Sequence, residues 1–124
     1  MRRKIKIIIA EDHPMLRDSL ETLLNSNHNY LVTASVSNGA ELVEHVISNP
    51  PDFIITDIDM PIMNGIEAIK IIKGSGVNSK IMALTMHASN SICDSIIDAG
   101  ADLVLSKSKS GIELYDYINE LLDK

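Results

Sequence analysis

The chain has 124 residues, is 45% apolar with only 3% aromatic residues and no Trp, and carries a formal charge of −6 with a pI near 5.0. With so few rings to stack on bases and no clustered basic face, it is not expected to bind nucleic acid directly. The lone Cys93 excludes an internal disulfide, and no apolar run approaches the ~20 residues that span a membrane.

The length fits one domain over residues 1–124, with no repeat, low-complexity tract or interdomain linker. Met1 and the basic residues 2–4 lead into an apolar stretch too short and too broken for a signal peptide, so a cytoplasmic location is expected. Within 4–10, the β-branched residues Ile5, Ile7, Ile8 and Ile9 predict a strand buried on both faces. Leu16, Leu20, Leu23 and Leu24 recur at helical spacing over 14–25, with Pro14 suited to the first turn. A second strand is expected over 31–36. Asn38-Gly39-Ala40-Glu41 then reads as a helix start, Asn38 capping and Glu41 reaching back, with Leu42, Val43, Val46 and Ile47 as the buried stripe. Pro50 and Pro51 end that helix, and 53–56 form the third strand between Asp52 and Asp57.

Gly65 opens a third helix that buries Ile66, Ile69 and Ile72 and closes at Gly74-Ser75-Gly76. A fourth strand follows over 81–85. The next helix, 89–99, carries Ile92, Ile96 and Ile97 inward and ends at a left-handed Gly100. Residues 103–105 make the fifth strand. The last helix starts at the capping box Ser110-Gly111-Ile112-Glu113 and packs Leu114, Ile118, Leu121 and Leu122. Five strands alternating with five helices predict an α/β fold, a parallel sheet with helices on both faces joined by right-handed crossovers.

Ligands of open parallel sheets sit beyond the carboxyl ends of the strands. Those positions hold Glu11 and Asp12 after the first strand, Asp57 and Asp59 after the third, Thr85 after the fourth, and Ser106 and Lys107 after the fifth. In the flavodoxin-like order 2-1-3-4-5, Glu11, Asp12 and Asp57 converge at the switch point. Three carboxylates about 4 Å apart repel by roughly 1 to 4 kcal/mol per pair, so a positive charge must offset them. Mg²⁺, a hard cation that takes oxygen ligands and keeps several waters, fits this set, and Lys107 adds a further charge. A carboxylate beside these charges can attack phosphorus to form an aspartyl phosphate.

The acidic pair Glu11-Asp12, the run Asp57-Ile58-Asp59-Met60-Pro61 with Gly65, then Thr85 and Lys107, resemble the receiver domain of two-component response regulators along the whole chain. The resemblance implies that Asp57 is the phosphoacceptor. It also implies that Mg²⁺ binds through the Asp12 and Asp57 side chains and the Asp59 backbone carbonyl, with Glu11 acting through a water. Thr85 and Lys107 would contact the phosphoryl group, and a sensor histidine kinase would supply it from a phosphohistidine. Asp59 and His87 occupy the positions that set phosphoryl lifetime in this family. The switch is expected on the face of the fourth helix, fifth strand and fifth helix, including Met86 and Val104.

Val104 stands where the family often has an aromatic residue, so no aromatic readout is expected. Ser108 replaces a frequent proline and leaves the isomer of the Lys107-Ser108 peptide open. Asp12-His13-Pro14 and Thr85-Met86-His87 resemble the subgroup with a helix-turn-helix DNA-binding output. Such a C-terminal output domain is missing from this chain, and homodimerisation is compatible with the resemblance. Met60 and Met63 are expected to pack, and His13, His28, His45 and His87 lack metal-ligand spacing.

Two enzyme readings compete. The run from Ile54 to Asp59 also resembles the Asp-x-Asp strand of haloacid-dehalogenase-type phosphatases, but that motif ends the first strand there and the third here. A Walker-B role for Asp57 lacks its Gly-x-x-x-x-Gly-Lys-Ser/Thr partner. A pseudo-receiver that binds partners without phosphorylation is the remaining alternative, and the intact acidic set argues against it.

Overall fold

Parallel strands need long crossovers, and the apolar periodicities of this chain provide them as helices. The computed structural model describes residues 3–86, 89–107 and 113–122. In chain order the elements are β1 (Ile5–Ala10), α1 (Pro14–Asn25), β2 (Tyr30–Val36), α2 (Gly39–Ser48), β3 (Phe53–Asp57), α3 (Gly65–Gly74), β4 (Lys80–Thr85), α4 (Asn90–Ala99), β5 (Leu103–Ser106) and α5 (Glu113–Leu122). All strand pairs are parallel, in the order β2-β1-β3-β4-β5. This is the expected flavodoxin-like α/β sheet.

The alternation of side chains along each strand divides the core in two. Ile8, Ile54, Ile81 and Ala83 pack with Leu42, Val46, Ile69, Ile72 and Ile96 on the side of α2, α3 and α4. On the other side Ile7, Ile9, Phe53, Ile55, Met82 and Leu84 meet Leu20 and Leu24 of α1 and Leu114, Ile118 and Leu121 of α5. β3 lies in the middle of the sheet with all five residues buried. Its two faces therefore read as one apolar run, the pattern of a strand covered twice.

Polar residues fix the ends of these elements. At the amino ends of the strands, the Asp52 carboxylate accepts from the Lys6 N–H at 2.8 Å and that of Asp102 from the Ile81 N–H at 2.8 Å. Midway along β1, the β1–β2 register shifts between Ile7 and Ile8, where Thr33 is the extra residue. The ladder then runs on, with the Glu11 N–H donating to the Val36 oxygen at 3.0 Å. Glu11 is thus carried past β1 as a continuation of the strand.

Several expected details change. Ile47 and Ile97, read as buried, are 51% and 46% exposed, because the apolar stripes of α2 and α4 are narrower than the sequence implies. Glu41 does reach back, but to the Asn38 side-chain nitrogen at 2.9 Å and the Ser37 hydroxyl at 3.0 Å rather than to the cap's main chain. Helix α3 has a cap of its own, since the Asn64 Oδ1 accepts from the Glu67 N–H at 2.9 Å. Gly100 ends α4 with φ 128°, as expected. Ser110, Gly111 and Ile112 of the proposed capping box lie outside the described residues, as does the Lys107-Ser108 peptide.

Ile54→Ala removes a fully buried side chain from the central strand β3 and should cost about 2–5 kcal/mol, whereas Ile47→Ala should stay within about 0.5 kcal/mol of the parent. Urea unfolding of both variants checks this, and equal losses would contradict the assignment of the α2 stripe.

Candidate functional site

Because β1, β3 and β5 all end on the same edge, the residues that follow them meet there. Asp57, the last residue of β3, is 3% exposed, and Glu11 is 1% exposed. The ammonium of Lys107, directly after β5, lies 2.7 Å from Asp57 Oδ2 and 3.0 Å from Glu11 Oε1. Main-chain donors hold the other oxygens: the Ile58 N–H donates to Asp57 Oδ1 at 2.8 Å and the His13 N–H to Glu11 Oε2 at 3.1 Å. Glu11 Oε1 has the ion pair but no aligned hydrogen bond, so its acceptor capacity is unspent.

Asp12 is exposed, yet one carboxylate oxygen from each of Glu11, Asp12 and Asp57 falls within a common 4.8 Å. Adjacent ligands of an octahedral Mg²⁺ are about 3 Å apart and opposite ones about 4 Å. A small inward adjustment thus suits these oxygens to a hard cation, and the exposed side of Asp12 leaves room for water. The cavity in front of them has a volume of about 480 Å³ and is lined by Asp12, His13, Leu16, Asp57, Asp59, Met86 and Lys107.

Charge in the buried part does not balance, since one ammonium faces two carboxylates. Asp57 is pushed up to about 7, by burial first and then by the Glu11 carboxylate, against the opposing hydrogen bond from Lys107. Burial works against the Lys107 ammonium, but its hydrogen bond to Asp57 and its ion pair with Glu11 outweigh that and raise its pKa above the ordinary value.

The structure brings together Glu11, Asp12, Asp57 and Lys107, with exposed Asp59 on the cavity wall. Thr85 is buried at the end of β4, in register with Ser106, and does not line that cavity. Met86 is 69% exposed, and Val104 is half-buried against the α2–α4 core. His87 lies outside the described residues. Leu16, read as part of a core stripe, packs against the core and also lines the cavity, as does His13. Neither carries a sequence signal for this, because which end of α1 overhangs the sheet is set by the crossover.

A domain with this edge chemistry on this strand order has a family. The chain matches the response regulator receiver domain profile over residues 7–119. It belongs to the response regulator receiver family. The receiver is 31% identical over 121 residues to the nitrate/nitrite response regulator protein homolog of Haemophilus influenzae, a match covering 98% of this chain and 58% of that protein. It is 34% identical over 106 residues to the transcriptional regulatory protein LnrK of Bacillus subtilis, covering 86% of this chain and 48% of that protein. The chain therefore spans about half the length of the curated relatives it matches. The receiver domain of NarL from Mycobacterium tuberculosis has the same fold, with a TM-score of 0.94 at 20% identity over 98% of both chains. Receivers are phosphorylation-controlled switches, and no described helix of this one is long and apolar enough to cross a membrane.

The raised Asp57 pKa has a sign that can be measured. The unfolded side chain ionises near 3.8, whereas the folded one keeps its proton to about 7. Between these values the native state holds the extra proton, so this group's contribution is full at low pH and is lost as pH rises through the window. Metal-free parent protein should therefore lose stability relative to Asp57→Asn between about pH 4 and pH 7 in urea unfolding. A parent-to-variant difference that stays constant across that range would contradict the burial and charge argument.

Proposed function

We propose that this receiver accepts a phosphoryl group on Asp57, in a Mg²⁺-dependent reaction, from the phosphohistidine of a sensor kinase or from a small phosphodonor. The observation that supports it best is the Asp57 carboxylate, buried yet at the wall of an open cavity, with Lys107 at 2.7 Å and the oxygens of Glu11 and Asp12 beside it.

One ionised oxygen of Asp57 attacks phosphorus as the bond to the donor nitrogen breaks, and the electron pair leaves with the imidazole. The Ile58 N–H at Oδ1 fixes the plane of the carboxylate, which shortens the search for an in-line approach. Asp12 and Asp57 would hold Mg²⁺ through their side chains and Asp59 through its backbone carbonyl, with Glu11 acting through a water. The ion supplies positive charge to the transferring oxygens. Lys107 serves the same end, exchanging part of its pairing with Glu11 and Asp57 for the phosphoryl oxygens. Thr85 donates its hydroxyl to one of them.

The consequence is a population shift, because the new dianion interacts with Thr85 and Lys107 more strongly in one arrangement of the chain than in the other. These residues end β4 and β5, so the readout falls on Met86, Val104 and the face formed with α4 and α5. Asp59 and, by the family resemblance, His87 set the lifetime of the modified state. A C-terminal DNA-binding output domain in the complete protein is the partner this reading favours, in keeping with a relative that is a transcriptional regulatory protein and with the length such relatives carry beyond the receiver.

Incubation with Mg²⁺ and acetyl phosphate should add the mass of one phosphate to the parent, none to Asp57→Asn, and reach Asp12→Ala at least about tenfold more slowly. A gain that survives in Asp57→Asn, or no gain in the parent with either acetyl phosphate or a phosphorylated kinase, would contradict the reading.

A further inference from the structure

Two helices of this receiver start with the same four-residue pattern. Asn38-Gly39-Ala40-Glu41 opens α2, and Asn64-Gly65-Ile66-Glu67 opens α3. In each, the Asn side chain accepts from the Glu N–H at 2.9 Å and donates to the same Glu carboxylate, at 2.9 Å in the first and 3.2 Å in the second. The cap leaves the intervening glycine on the first helical turn, where backbone approaches it closely.

At Gly65 a Cβ would overlap the Asp57 carbonyl oxygen and come 2.9 Å from the Ile58 Cα. At Gly39 it would overlap the Met63 carbonyl oxygen and come 2.9 Å from the Asn64 oxygen. The neighbours are main chain in both cases and cannot swing aside. Contacts therefore run from Gly39 to Met63 and Asn64, on to Gly65, and from Gly65 to the backbone of Asp57.

The segment between Asp57 and Gly65 is held tightly by this chain of contacts. The Gly65 N–H donates to the Ile58 oxygen at 2.8 Å, closing the loop on itself, and the Gly39 N–H donates to the Met63 oxygen at 2.8 Å. Met60 anchors the loop in the α2–α4 core. Between these points the Met63 N–H bonds back to the Pro61 oxygen at 2.7 Å, across Ile62. Ile62 sits at φ 69° with its side chain 84% exposed. A β-branched residue is forced to this backbone region only where the surroundings over-determine the chain, and its exposed side chain gains no packing in return. The surroundings here are the contacts with the start of α2.

We propose that Gly39 is a positioning residue of the phosphoryl site: its missing Cβ and its N–H bond to Met63 hold the 58–65 loop in the form that places Asp59 and Asp57. Gly39 itself touches none of the carboxylates that form the site. The proposal rests on the phosphoacceptor reading and adds to it a control point on a different helix. It also gives the strain at Ile62 a use, because a loop closed at both ends and bent in the middle presents one arrangement of its carbonyls instead of many.

Gly39→Ala tests it, with Gly74→Ala as control, since nothing lies within 4 Å of a Cβ at Gly74. In metal-free protein, backbone amide NMR signals over 57–65 should move in Gly39→Ala and keep their parent positions in Gly74→Ala. Mg²⁺ affinity, and the rate of phosphorylation at saturating Mg²⁺ and acetyl phosphate, should fall about 10- to 100-fold while the circular dichroism at low temperature stays that of the parent. A purely structural role would lower the unfolding midpoint and leave affinity and rate in the folded protein untouched, and that result overturns the proposal. Should Gly39→Ala not fold, Asn38→Ala decides, because it removes the cap that holds Gly39 at the start of α2 without adding a clash: weaker Mg²⁺ binding supports the proposal and parent-like binding overturns it. A parent that takes up no phosphate defeats the phosphoacceptor reading and the proposal together, whereas a phosphorylated parent with a parent-like Gly39→Ala defeats the proposal alone.

Discussion

Two buried carboxylates share one ammonium at the carboxyl edge of the sheet, and the receiver's chemistry follows from that imbalance. Lys107 reaches both Asp57 and Glu11 and neutralises only one of them. Removing either carboxylate from water is unfavourable, and their mutual repulsion adds to the cost at an effective dielectric well below that of water. The protein carries this arrangement because β1, β3 and β5 must end on the same side in a parallel sheet of order β2-β1-β3-β4-β5. The charges are thus placed by topology, and the apolar cores on both faces hold them where they would not otherwise stay.

The same imbalance makes the site responsive. A group held near its titration point changes charge with a modest change in surroundings, and a lysine shared between two partners can be drawn toward a third. Asp57 sits at the end of a strand with no exposed residue, so its own backbone has little freedom. Movement must come from the segments beyond the strand ends, among them the loop after β3 and Met86 after β4. The loop after β3 is closed by its own hydrogen bonds and tied to the start of α2.

The elements were legible in the sequence because each rests on a strong local pattern, and the convergence of Glu11, Asp12, Asp57 and Lys107 followed once the flavodoxin-like strand order was taken for such an alternation. The isoleucine runs mark buried strands, and a buried parallel strand can end in a charged residue only at its edge. What stayed hidden depends on contacts between distant segments. Ile47 and Ile97 belong to apolar helix faces by spacing, yet the width of the stripe that is covered depends on how each helix lies on the sheet. Leu16 packs at the edge of the core as its spacing implies and also lines the cavity, which its spacing does not show. Ile62 carries no sequence sign of a positive φ, since residues of its type normally avoid it, and only the clamp between Gly39 and Met63 explains it. The cap at Asn64 was readable, being the same pattern as at Asn38, but the nearby Gly65 draws attention to the family motif and away from the cap.

The central claim is that Lys107 stands in for the missing positive charge and that a divalent cation relieves the remainder. Stability of Lys107→Met, measured by urea unfolding at about pH 8 with and without Mg²⁺, tests it most directly, because Asp57 and Glu11 have then lost their only close ammonium among the described residues. Without the metal the variant should lose about 3 kcal/mol, the cost of stranding a buried charge. Mg²⁺ should then restore more stability to the variant than it adds to the parent. An equal loss with and without Mg²⁺, or no loss at all, would contradict the account.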